Sequence, residues 1–200
     1  LINLELKREA NDEMIYDSLS VDAELDAICP AVTKLRMESP NLINRLAEEI
    51  LVDHARQKNQ VYLVTSALDG EGVTHVCSML AESMRRLSPG KIYLLTIPKQ
   101  ELAQPEFGLP AEMLRAEFFD ELKSTYDVIL IDAGGLLNRG RAVPFLAECH
   151  ACILVTRAAR TRRGQVKETL NMLKRYNIPV IGSVLNAVEH VIPKVLYKRL

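Results

Sequence analysis

Two hundred residues, 48% of them hydrophobic and 26% charged, suit one α/β domain with a full core and exclude a disordered chain. The formal net charge of −1 excludes a global electrostatic pull toward nucleic acid or a membrane surface. No apolar run approaches the roughly 18 residues of a membrane span, and four scattered cysteines point to a reduced, cytoplasmic setting rather than a disulfide framework.

The chain starts at Leu1 without a signal-peptide pattern, which reads as a piece of a longer protein. Residues 1–38 mix acidic and apolar positions with weak periodicity and are expected to form an arm or short helices outside the main sheet, leaving 39–200 as the domain. Leu42, Ile43, Leu46, Ile50 and Leu51 recur at helical spacing over 41–57. A strand follows at Val61–Thr65, then a helix over 73–87 that Pro89-Gly90 stops, and a second strand at Ile92–Ile97.

Four residues, Pro98, Pro105, Gly108 and Pro110, mark an irregular connection. A helix is expected over 111–124 with Met113, Leu114, Phe118 and Leu122 as its buried stripe. The third strand, Val128–Ile131, carries Asp132 at its end. A helix near 142–148, a strand at Cys152–Thr156, a helix at Arg163–Arg175 and a strand at Val180–Leu185 complete the reading. Apolar strands alternating with helices imply a mostly parallel sheet of at least five strands, covered on both faces in a three-layer sandwich. Cys149 and Cys152 form a C-x-x-C, but Cys152 opens an apolar run and no second pair exists. Both read as core, and no metal site is expected.

The stretch VYLVTSALDGEGVTHVCSML, Val61 to Leu80, reads as strand, phosphate loop and helix. In such a loop the backbone N–H groups and a helix N-terminus cradle phosphate, a Lys reaches the β/γ-phosphates and a Ser or Thr binds Mg²⁺. The remnant site is Gly70, Glu71, Gly72, Val73, Thr74 and His75: Val73 stands at the Lys position and only Thr74 keeps the pattern.

With this loop, PAEMLRAEFFDELKSTYDVILID (110–132), ILVTRAART (153–161) and IGSVLN (181–186) follow in order. Together they resemble the bacterial tyrosine kinases that regulate export of capsular and extracellular polysaccharide. That resemblance implies a P-loop fold and, in working members, a lysine and two acids after the second strand that hold ATP and Mg²⁺. Here the lysine is Val73, the acids' places hold Ile97 and Lys99, a further acid is Arg141, and the Tyr-rich tail is absent. Asp132 remains as the one remnant of the catalytic acids.

The expectation is therefore a non-catalytic, kinase-like regulatory or scaffolding module with no cofactor, partnered by a membrane polysaccharide co-polymerase or by copies of itself, peripheral to the inner membrane and without nucleic acid. The alternatives are an active ATP- and Mg²⁺-dependent autokinase or partitioning-type ATPase, and a localisation module binding anionic membrane or a polar partner. Lys99, Arg139, Arg141, Arg157 and Arg160 all follow strand ends, where ligands of open parallel sheets gather, and are the candidates for binding an anion or partner. Lys99 is further expected to stand as counter-charge to Asp132 in place of the lost metal.

Overall fold

The computed structural model describes residues 33–36, 40–97, 117–139 and 142–187. Along the chain these form β1 (Thr33–Arg36), α1 (Pro40–Gln57), β2 (Val61–Ser66), α2 (Val73–Leu87), β3 (Ile92–Thr96), α3 (Phe118–Thr125), β4 (Val128–Gly135), α4 (Leu136–Arg139), α5 (Val143–Leu146), β5 (Ala151–Arg157), α6 (Arg163–Arg175) and β6 (Val180–Asn186). The six strands make one sheet in the order β1-β6-β5-β2-β4-β3, and every neighbouring pair is parallel.

Burial explains why these strands are apolar on both sides. Every residue of β2 is buried, as are the first six of β5, so the alternation of a one-sided sheet is absent. Alternate residues feed two separate cores. Val61, Leu63, Ile129, Ile131 and Leu154 face α3, α5 and α6, whose Phe119, Phe145 and Leu170 join them. Tyr62, Val64, Leu130 and Ile153 face α1 and α2 through Leu46, Ile50, Val76 and Leu80. The buried Tyr62 hydroxyl donates to Asp53 Oδ2 at 2.8 Å, which ties α1 to the centre of the sheet.

Several sequence expectations need correction. The arm assigned to 1–38 contributes β1, which pairs with β6 from Thr33↔Gly182 to Arg36↔Leu185. TKLR has no apolar run to announce a strand, and an edge position does not demand one. Of the expected helix over 111–124, only α3 falls within the described residues. Phe119, which the reading passed over, is its buried residue, while Phe118 and Leu122 are half-buried. β4 runs four residues beyond Ile131 to Gly135, with a register shift opposite Val64/Thr65. The Thr65 hydroxyl donates to the Gly134 carbonyl at 2.8 Å and holds this extension in place. Cys149 and Cys152 are buried and unbridged, as expected of core residues.

Candidate functional site

The loop between β2 and α2 lies at the carboxyl ends of the strands. Its turn requires left-handed backbone at Gly70 (φ +80°) and Gly72 (φ +101°), which only glycine adopts without strain. Gly72 is also the N-cap of α2 and provides no side-chain cap, and no acidic residue occupies the first turn. The first N–H groups of α2 therefore face an open cavity of about 370 Å³, lined by Asp69, Gly70, Gly72, Val73, Thr74, His75 and Gly134.

Around this cradle the neighbouring strand ends grip the loop itself. Thr161 donates its hydroxyl to Glu71 Oε1 at 2.6 Å and accepts the Arg157 N–H at 2.7 Å. Arg157 Nη1 donates to the Gly70 carbonyl at 3.1 Å, and Arg160 Nη2 more weakly to the Asp69 carbonyl at 3.4 Å. From the end of β6, Asn186 Nδ2 donates to the Glu71 carbonyl at 2.9 Å. A Cβ on Gly72 would collide with that amide.

The end of β4 closes the other side. Gly135 donates its N–H to Asp69 Oδ1 at 3.1 Å, and a Cβ at Gly135 would run into the backbone of Leu68 and Asp69. Leu137 N donates to the Ala67 carbonyl at 3.1 Å. Four segments thus fasten one loop: the ends of β4 and β6, the β5–α6 turn, and α4.

The six predicted loop residues separate into three groups on this frame. Gly70, Thr74 and His75 are exposed at the cavity, and the half-buried Gly72 lines it with them. Val73 touches the cavity yet is only 4% exposed, packed in the α1–α2 core. Glu71 is fully buried. Burial pushes its carboxyl above the ordinary value, against the Thr161 hydroxyl, the Leu68 and Ala67 amides and the Arg160 charge. It is an internal fastening and not a wall of the cavity.

Asp132 is 2% exposed, and neither carboxylate oxygen has a hydrogen-bond partner among the described residues. Its charge acts with burial to push the Cys77 thiol of α2 well up. Arg157 and Arg160 come together at the loop. Lys99, Arg141 and the side chain of Arg139 lie outside the described residues, and so does the pairing expected between Lys99 and Asp132. Sequence reasoning missed Thr161, Asn186 and Gly135 as members of the site. The first two end the segments VTRAART and IGSVLN that carried the resemblance, which was the available signal.

No protein-family model matches the chain. In sequence it is 32% identical over 84 residues to a putative tyrosine-protein kinase EpsB of Ralstonia solanacearum, and 31% identical over 84 residues to the one of Ralstonia nicotianae. Each match takes in 40% of this chain and 11% of the relative's length. Among solved structures it resembles the kinase domain of the Escherichia coli tyrosine kinase ETK, with a TM-score of 0.64 at 16% identity over 78% of each chain. The BceF tyrosine kinase domain aligns with a TM-score of 0.59 at 16% identity, covering 88% of this chain and 90% of that one. The chimerical protein CapA2B2 gives 0.65 at 14% identity, covering 84% and 99%. At these identities the structural likeness is one of fold, and that fold is the one found in bacterial tyrosine kinase domains.

Proposed function

We propose that this chain is a non-catalytic relative of the bacterial tyrosine kinases, a regulatory or scaffolding module of capsular or extracellular polysaccharide synthesis in which the phosphate loop has become a structural fastening. One observation carries the reading. The side chains around the loop are spent on the loop itself, through Thr161 on Glu71, Arg157 on Gly70 and Asn186 on the Glu71 carbonyl, while the position expected to hold a phosphate-binding lysine is an apolar residue packed in the core.

The residues present do not fit Mg²⁺–ATP. A charge-assisted contact contributes roughly 1.5–3 kcal/mol, so Val73 in place of Lys weakens nucleotide binding roughly tenfold to 150-fold. Asp69 adds a carboxylate to the cavity wall, where it opposes phosphate. Hard cations take about six oxygens, and Asp132 is a single carboxylate beside Ile97. Phosphoryl transfer depends on positioning and charge stabilisation, so these losses compound.

The partner consistent with this reading is the cytoplasmic end of a membrane chain-length regulator, with self-association as the second reading. Calorimetry tests both halves. Titrated ATP with Mg²⁺ should bind in the millimolar range or not at all, whereas the regulator's cytoplasmic end should register binding. A micromolar, Mg²⁺-dependent dissociation constant would overturn the non-catalytic reading.

A further inference from the structure

Helix α1 carries an exposed apolar side chain midway between two charges of opposite sign. Val52 is 47% exposed, the highest value for a large hydrophobic residue among the described residues. Glu48 and Arg56, both exposed, stand four residues before and after it, so the three form one ridge at i, i+4 and i+8. All three line a groove of about 580 Å³, with the buried Leu46 and Ile50 and the half-buried Ile181 of β6 completing its wall.

The other charges of α1 are engaged within the fold. Arg45 Nε lies 3.7 Å from Glu49 Oε1. Asp53 Oδ2 accepts the Tyr62 hydroxyl at 2.8 Å and the Asn59 amide at 2.9 Å, and His54 Nδ1 lies 2.6 Å from the Asn59 carbonyl oxygen. Glu48 and Arg56 have neither an ion pair nor a hydrogen bond among the described residues. Eight residues apart, about 12 Å along the helix axis, they do not reach each other. Opposite charges at equal distances on either side of an apolar residue make the ridge complementary to its own reverse. When a second copy lies antiparallel across it, Val52 meets Val52 and each Glu48 meets the partner's Arg56. Ridges of the i±4 kind are also the ones that most often interlock between helices, at axis separations of about 8–10 Å.

We propose that the α1 ridge is a self-recognition surface, through which two copies of this chain pair antiparallel about a two-fold axis at Val52. Charge selects the occupant. The ridge carries one acid and one base, so a surface of a single sign, lipid or nucleic acid, loses at one end what it gains at the other. A second copy satisfies both ends at once, and a two-fold contact closes at the dimer. The proposal rests on self-association, the second reading of the function, and is independent of whether the loop binds nucleotide. One helix pair buries less than the roughly 1,200 Å² of a stable complex. The dimer is therefore weak, with a dissociation constant on the order of 0.1 mM, and forms where copies are concentrated.

Sedimentation equilibrium of the full chain, from about 0.01 to 1 mM so that the expected constant is bracketed, tests the pairing. E48R and R56E each turn two attractive contacts into two repulsive ones, and each should weaken the dimer by about tenfold. The doubly exchanged E48R/R56E chain should dimerise as the wild type does. An equimolar mixture of the two single variants should also recover the dimer, because in the mixed pair both crossed contacts are again opposite in charge. The substituted positions are exposed, so all these chains should keep the wild-type urea unfolding midpoint, and recovery in the double variant excludes a folding defect as the cause of a loss. A chain that stays monomeric at the highest concentration would overturn the proposal and self-association with it. A dimer that E48R and R56E leave intact would overturn the proposal alone, by assigning self-association to another surface. Assemblies larger than a dimer would overturn its two-fold geometry.

Discussion

Glu71 is the acid that the loop turns inward, onto the Thr161 hydroxyl. Its carboxyl is fully buried, and burial outweighs the Thr161 hydroxyl and the other groups that favour the charged form, so the folded chain holds this proton above the ordinary value of 4.5. The sign follows from that direction. The stability contribution is fully present below 4.5, and it is lost as pH rises through the raised folded value, because the unfolded chain releases the proton first. Thr161→Val removes the hydroxyl that best supports the charged carboxyl, and with it the acceptor of the Arg157 N–H. Hydrogen bonds to charged groups contribute about 1.5–3 kcal/mol. The variant should therefore lose stability by that order at pH 8 and by clearly less at pH 5, measured by urea unfolding at each pH. Equal deficits at both would show that Glu71 does not change its charge over that range.

At the scale of elements, the start of the central strand is set by a histidine that the sequence left without a role. His150 Nδ1 accepts the Val61 N–H at 3.1 Å and the Gln60 N–H at 3.4 Å, which fastens β2 to the entry of β5. Burial holds the imidazole below its ordinary 6.5; the Lys123 charge adds to this, while Glu148 and Asp53 pull the other way. A protonated ring has no lone pair for these amides. The stability this contact supplies is present above 6.5 and is lost as pH falls through the depressed folded value. Denaturant midpoints should decline from pH 7 to 5, and His150→Ala, less stable at pH 7, should show a flatter decline. A variant that tracks the wild-type slope would remove His150 from that limb. The elements themselves were readable wherever a run is apolar throughout, as in β2 and β5. The extension of β4 was hidden because Gly134 and Gly135 have poor strand propensity, and α3's buried Phe119 was hidden because either of two adjacent phenylalanines could have faced the core.

Across the whole molecule, the architecture and the candidate site were legible to different degrees for a physical reason. The glycine turn and the apolar residue at the position where a lysine was expected are local, so Gly72 and Val73 announce themselves within a few residues. The contacts that fasten the loop join residues 90 and 115 positions apart, and no local pattern reports that Thr161 or Asn186 meets Glu71. The same separation decides what one substitution can restore. Val73→Lys would place an ammonium in a position that is 4% exposed and shared between the core and the cavity, so its stem stays in apolar surroundings and only its head can reach phosphate. Overpacking of a well-filled core costs about 1–3 kcal/mol, and a lowered unfolding midpoint is expected. The new charge should tighten phosphate or ATP binding by about tenfold to 150-fold. On the proposed reading autophosphorylation should be absent from this variant, because the lysine supplies no carboxylate at Ile97 or Lys99 and leaves the loop engaged by Thr161, Arg157 and Asn186. Incubation of the V73K chain with γ-labelled ATP and Mg²⁺ checks this directly. Stoichiometric label on any tyrosine would overturn the proposed reading of the loop as a structural fastening.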